Sequence, residues 1–515
     1  MAWTVRLPIK ALCRLTFFSL TVFFSVNLCF SVSARSARAG EWSGWRGDRR
    51  DGVAHDSSPL RTQLPADGLA PLWESEKIPA AGNGGWSSPI VWDGKAYLFA
   101  HQRTAIKKLG PPKYPFFFRE KRPEVSQEDY AEYERKRREE DIERGKAFDF
   151  REVVYCIDSA SGKTLWKNER PSVYTRFLQS GTPIIDHEKI YILGAGLNAR
   201  AIDARSGRDL WQTRLPGEFV DDFMMSSFVV ADGVAAVLAG HLRGLDAETG
   251  KILWEGDPRS TRGVHSSPVA WQSPDGPRLI ANVAGRDTVC LEPKTGHEVW
   301  RVQSEANLST PVVVGDRMLT LGNNRRGGLR CFKLSPQGAE LAWKYQRLAD
   351  KGSSPVVVGD FVYAQGERRL ACVELASGRE AWSASLDLET PQYTSLVGGD
   401  GKVIYALGGV LMFAADPAEY RPLFEAKINK QGIMAPEKLF RSQLKLDEIE
   451  RGPGGQEKAL KIYQREVGNQ GPLPCSSPAL VGSRLYLRLR DRLACYELAA
   501  PGSLSSTTHS AAKSE

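Results

Sequence analysis

The stretch LDAETGKILWE, residues 245–255, reads as two β-strands joined by a tight turn. Apolar residues flank a Thr-Gly pair, and Gly250, four residues before Trp254, supplies the positive φ that such a hairpin turn needs. Near copies stand on both sides: IDSASGKTLWK (157–167), IDARSGRDLWQ (202–212), LEPKTGHEVWR (291–301) and VELASGREAWS (373–383), with a looser relative, KLSPQGAELAWK, at 333–344. Aligned on tryptophan from Trp166 to Trp382, the spacings are 45, 43, 46, 43 and 39 residues. A period near 40 indicates a repeat architecture, which decides the fold before any single residue does.

A second phrase alternates with the first. It begins SSPIVWDGKAYLF at Ser87 and recurs from Gly181, Ser226, Ser266, Ser309, Ser353, Thr394 and Ser476, making eight copies. Each pair of phrases holds four short apolar or β-branched runs separated by turn residues, the signature of one propeller blade. The expected fold is therefore all-β, an eight-bladed β-propeller, with the outer-strand tryptophans packed between neighbouring blades. The last copy, SSPALVGSRLYLRLRDRLACYEL, stops after three strands, and APLWESEKI around Trp73 precedes the first copy. The N-terminal strand is thus expected to complete the last blade, leaving no sheet edge open.

These phrases resemble the quinoprotein-like, pyrroloquinoline-quinone (PQQ) repeat β-propellers, a superfamily that includes PQQ-dependent alcohol dehydrogenases and the non-enzymatic outer-membrane assembly factor BamB. The resemblance covers about residues 70–498, and WSGWRGDRRDGVA at Trp42 is similar to the lead-in of many secreted propellers of this kind. It is specific for fold and weak for function, because the repeat residues hold blades together whatever the centre does.

The chain divides accordingly. Arg6, Lys10 and Arg14 precede an apolar run to Val32, and Ala37–Ala39 offers a cleavage site, so residues 1–39 read as a secretory signal peptide. Residues 40–69 form the lead-in, 70–498 the propeller, and 499–515 a disordered tail. The signal carries five of the 69 basic residues and no acidic one, leaving 64 against 61 and a net charge of +3. No nucleic-acid partner follows from that balance, and contact with a membrane is expected only through the signal. Two insertions interrupt the repeats. In 101–150, Ser126 and Asp129 have capping-box spacing ahead of a charged helix ending at Gly145. In 426–470 a helical stretch lies near PEKLFRSQLKLDEIE, within the degenerate seventh blade, whose outer anchor is either Phe424 or Ile462.

Six cysteines follow the signal. Cys156, Cys290, Cys331, Cys372 and Cys495 share one repeat position, too far apart from blade to blade for disulfides, and read as small core residues; Cys475 is expected to face elsewhere. Several fragments carry no function. SGKT at Ser161 lacks the first glycine of a phosphate-binding loop, since position 157 is Ile157, and RGD at Arg46 belongs to the lead-in. There is no His-x-x-x-His pair and no Gly-x-Ser-x-Gly elbow.

The candidate site is the central funnel. By repeat register, Trp86, Gln179, Asp222, Arg262, His265, Asn307, Lys351, Gln392 and Tyr393 converge on the axis. The leading functional reading is an exported binding or interaction scaffold, monomeric, contacting protein partners through rim loops and insertions. The alternative is a PQQ- and Ca²⁺-dependent dehydrogenase of alcohols or sugars. There Trp86, Arg262, His265, Lys351, Gln392 and Tyr393 would hold the cofactor, Asn307 and Asp222 the metal, and Asp222 would be the general base. The sequence has neither the vicinal Cys-Cys that the resemblance implies for the soluble PQQ alcohol dehydrogenases nor a Cys-x-x-Cys-His haem motif, which favours the scaffold. A third reading is a carbohydrate-binding propeller with Trp86 and Tyr393 as stacking platforms.

Overall fold

The computed structural model describes residues 40–80, 84–117, 119–217, 224–306, 308–386 and 393–502. Eight sheets are present, each of four antiparallel strands apart from local additions. Blade 1 consists of Ile90–Trp92, Lys95–Ala105, Phe148–Asp158 and Thr164–Pro171. Blades 2 to 7 open with inner strands Ile184–Asp186, Val229–Ala231, Val269–Ser273, Val312–Val314, Val356–Val358 and Val397–Gly399. In blade 3 a single segment, Val234–Asp246, supplies both middle strands: Ala236 pairs with the inner strand and Gly244 with the outer one, and Gly240 between them has φ +85°. Blade 8 (Ala479–Val481, Arg484–Arg488, Leu493–Glu497) takes its fourth strand from Trp73–Glu74, in register Trp73↔Cys495. The expected closure is the observed one.

That register explains the cysteines. The shared position lies directly across from the outer aromatic in every blade: Cys156↔Trp166, Ala201↔Trp211, Gly244↔Trp254, Cys290↔Trp300, Cys331↔Trp343, Cys372↔Trp382 and Cys495↔Trp73. A large indole on the outer strand leaves room only for a small partner. In blade 7 the pair is Met412↔Phe424, so Phe424 is the outer anchor; Ile462 lies in a helix, Gly455–Tyr463. All six described cysteines are free, and burial pushes the five core thiols up to about 11 or 12.

Blades interlock through the same indoles. Nε1 of Trp73, Trp211, Trp254, Trp343 and Trp382 donates to a turn carbonyl of the following blade, at Ser159, Ala247, Pro293, Leu375 and Asp416, over 2.7–3.0 Å. The turn glycine of that following blade lies under the ring: a Cβ on Gly162 would stand 2.7 Å from Trp73, and one on Gly296 2.5 Å from Trp254. The glycine of the repeat phrase therefore meets two demands, a φ near +70° and a close approach to the neighbouring indole. Asp158, Asp203 and Asp246 brace their turns by accepting from the amide and hydroxyl of Ser161, Ser206 and Thr249, which holds their carboxyls below the usual range. Among the described residues Nε1 of Trp166 and of Trp300 has no hydrogen-bond partner.

The first insertion rises from an extension of blade 1, whose middle strands stay paired out to Ala105↔Phe148. Its helix runs Gln127–Gly145, with Ser126 Oγ accepting from Asp129 N at 3.0 Å. Of the two pairs that i,i+4 spacing suggests, Glu132/Lys136 forms at 3.2 Å, while for Glu134/Arg138 the carboxylate goes instead to Arg137, which also takes Asp141. The second insertion follows the outer strand of blade 7, Pro422–Ile428, and carries helices Glu437–Gln443, Leu446–Glu450 and Gly455–Tyr463 around Phe440 and Val467. No helix among the described residues is long and apolar enough to cross a membrane.

Candidate functional site

Three layers build the axis: a ring of hydroxyls from the Ser-Ser-Pro phrase, the lead-in on one side of it and a cavity on the other. The middle layer is a ring of hydroxyls. Ser88 N donates to Thr182 Oγ1, Thr182 N to Ser227 Oγ, Ser227 N to Ser267 Oγ, and Ser267 N to Thr310 Oγ1, all at 2.9–3.0 Å. Thr310 N donates to Ser354 Oγ at 3.2 Å and Ser354 N to Ser395 Oγ at 3.0 Å, while Ser477 N returns to Ser88 Oγ at 2.9 Å. In these seven links an inner strand hands an amide to the hydroxyl of its neighbour, always in one sense, so the second Ser or Thr of the phrase satisfies a buried N–H that no sheet partner reaches. The phrase betrays this role only by its repetition.

Below the ring lies the lead-in. Trp42 exchanges backbone hydrogen bonds with Val91, Ser43 O accepts from Ile185 N, and Val53–Ala54 pairs in parallel with Val397–Gly399. Arg46 donates to the carbonyls of Pro355 (2.5 Å) and Leu396 (3.3 Å), and Arg50 to those of Pro268 (3.1 Å) and Phe228. These carbonyls belong to the residues just after the ring, in blades 6, 7, 4 and 3. The two guanidiniums are fully buried, and desolvation pulls Arg46 down to about 10 and Arg50 to about 9. The lead-in is a plug, and its RGD triplet is not a display loop: Arg46 is inaccessible.

Above the plug is a cavity of about 470 Å³. Its wall combines ring hydroxyls (Thr182, Ser227, Ser267, Thr310) with Trp45 from the plug and with Trp86, Phe177 and Tyr393. Ser180, Met225, His265, Leu308, Gly352 and Cys475 complete the belt, so Cys475 faces the axis, where burial pushes its thiol up to about 12. Burial also takes His265 down to about 4, leaving it neutral near pH 7. Among the described residues the wall holds no Asp, Glu, Lys or Arg.

Of the residues expected at the axis, Trp86, His265 and Tyr393 line this cavity together. Gln179 is buried beside it, its amide donating to His101 Nδ1 at 3.0 Å. Arg262 and Lys351 are exposed and are not part of the wall; Arg262 sits in a short strand paired with Gly240 and His241. Asp222, Asn307 and Gln392 lie outside the described residues. No group of three or more His, Cys, Asp or Glu among the described residues could hold a metal ion. Sequence register missed Trp45, because nothing in the repeat says where a non-repeat lead-in goes, and Phe177, which belongs to a connector.

A family model described as outer membrane protein assembly factor BamB matches residues 239–409, where four consecutive copies of the two phrases stand. The chain is an eight-bladed β-propeller whose repeats are similar to those of that family. This propeller is 24% identical over 246 residues to outer membrane protein assembly factor BamB of Burkholderia pseudomallei (strain K96243), covering 43% of the chain and 60% of the relative. It is 25% identical over 301 residues to the BamB of Moranella endobia (strain PCIT), covering 55% and 67%. The propeller therefore spans only about 60–67% of the length of these relatives. Among solved structures it superposes on a europium-containing methanol dehydrogenase with a TM-score of 0.56 at 10% identity, over 89% of this chain and 98% of the other, a likeness of fold alone.

Proposed function

We propose that the protein is an exported interaction scaffold: a rigid, plugged propeller that presents its rim insertions to protein partners. The observation that carries this reading is the character of the axial wall. Catalysis by hydride transfer to a bound quinone would need charged groups at the axis to hold a planar polyanion and a metal. The described wall offers hydroxyls, rings and a neutral imidazole instead, and the cations assigned to that task, Arg262 and Lys351, lie off it. The names of the BamB relatives, assembly factors both, agree with a scaffold. The helix Gln127–Gly145 is the first candidate contact, since long ordered insertions on a rigid scaffold are commonly functional.

The dehydrogenase reading retains one supporting observation, the convergence of Trp86, His265 and Tyr393 on a single cavity. One experiment separates the two. Residues 40–515 are titrated with PQQ and Ca²⁺ while tryptophan emission and dye-linked oxidation of alcohols and sugars are followed. In parallel, photoreactive residues at Glu128, Arg135 and Lys146 are used for crosslinking in the native compartment. The scaffold expects no PQQ-dependent dye reduction and a discrete adduct from the helix that control positions on blade 5 do not give. Dye reduction lost in Trp86→Ala would replace it with the enzyme.

A further inference from the structure

A second cavity, of about 890 Å³, lies between the first insertion and the rim of blades 1 and 2, and it shares Phe177 and Tyr393 with the axial cavity. Its wall is unlike that of the axis. Among the described residues four arginines line it, Arg103 from the blade 1 extension, Arg137 and Arg144 from one face of the insertion helix, and Arg176 from the connector to blade 2, and Asp141 is the single carboxylate. The guanidiniums are held in place. Arg176 stands 5.0 Å from both the Phe116 and Phe177 rings, Arg103 lies 4.8 Å over Phe148, and Arg137 is fixed by Glu134 and Asp141 at 2.7 and 2.6 Å. Two rings of the lining, Phe116 and Tyr393, are 49% and 40% exposed and give the chamber accessible aromatic surface.

We infer that this chamber binds an anionic oligosaccharide, a sugar chain bearing carboxylate or sulfate groups. Ring-stacked guanidiniums present planar forks matched to oxyanions and lose little freedom on binding. Exposed aromatic faces suit the apolar faces of pyranose rings. The chamber continues into a cavity lined by Ser and Thr hydroxyls, among which Thr182, Ser227, Ser267 and Thr310 each accept one N–H. An acidic peptide fits less well. The strands that border the chamber are already paired to each other, Arg103↔Phe150 and Ala105↔Phe148, so no strand edge there is open to a peptide backbone. The inference does not depend on the scaffold reading, and its failure would leave that reading untouched.

The test is calorimetric titration of residues 40–515 with four probes: a tetragalacturonate, a chondroitin sulfate tetrasaccharide, neutral maltotetraose, and a Glu/Phe hexapeptide. Saturable binding of one or both anionic sugars is expected, weakening as salt rises, with none for maltotetraose. The two anionic arms distinguish carboxylate from sulfate. Phe116→Ala and Arg176→Gln should each weaken binding tenfold or more. Arg103→Gln, at an exposed position that burdens folding least, should weaken it severalfold at unchanged Tm. Absence of binding by both anionic sugars, affinity indifferent to all three variants, or tighter binding of the hexapeptide would overturn the assignment.

Discussion

At the scale of single residues, the turn glycines carry more than their conformation. Gly162 and Gly233 have nearly the same φ, +73° and +75°, but a Cβ at Gly162 meets the Trp73 ring while one at Gly233 meets nothing within 4 Å. Gly233→Ala should cost about 1 kcal/mol from backbone strain alone. Gly162→Ala should cost at least about 2 kcal/mol more, since it overpacks a blade interface; thermal unfolding of the two variants side by side measures the difference. His101 gives a second test. It is fully buried, its Nδ1 accepts from Gln179 N, and desolvation lowers its pKa to about 4. The unfolded chain therefore takes up a proton near pH 6.5 that the folded chain refuses until about pH 4. Stability contributed by the neutral ring is complete above pH 6.5 and falls as pH drops toward 4, by on the order of 3 kcal/mol. His101→Gln should flatten that part of the stability profile relative to the parent, read by urea midpoints between pH 7 and 4. A parent and variant of identical slope would exclude His101 as the source.

Among the elements, the most informative are those the repeat does not contain. The strand Trp73–Glu74 was legible because its Trp completes a pattern that the last copy leaves one strand short. The helix Gln127–Gly145 was legible from its cap and its charge spacing, which are local signals. The outer strand of blade 7 was not resolved from sequence, since Phe424 and Ile462 are equally apolar and only strand pairing distinguishes them. Ser126→Ala should remove the bond to Asp129 N and cost the helix about 1 kcal/mol, visible as faster amide exchange in residues 127–132 with unchanged blades. Trp73→Ala removes a ring, an indole bond to Ser159 and the contact with Gly162 together. It should destabilise by about 3–5 kcal/mol, with early proteolytic cleavage in blade 8 as its signature.

For the whole molecule, the architecture was readable and the axis was readable only in part. Trp86, His265 and Tyr393 follow from register, because each immediately precedes a Ser-Ser-type phrase. The plug does not follow, since Arg46 and Arg50 look like surface charges until their carbonyl partners from four blades are seen. The basic chamber also escaped, because its arginines come from three separate segments. The plug makes the cavity a blind one, and Cys475 is the described cysteine that faces it. Maleimide treatment of the native protein should modify Cys475 slowly and spare the five core thiols. Deleting residues 40–61 should speed that reaction and lower Tm; equal rates by mass spectrometry would show that the lead-in does not seal the axis.

The one-way amide-to-hydroxyl bonds run from Ser88 round to Ser395, and Ser477 N returns to Ser88; the outer latch likewise joins Trp73 to Cys495. The earliest-made segment of the propeller thus waits for the latest-made one. A chain emerging N-terminus first cannot finish folding blade by blade: until blade 8 arrives, the plug has only part of its seat and Trp73 has no strand to join. Any product cut short of blade 8 would carry an open seam, and limited proteolysis is expected to cut it faster than the full-length chain.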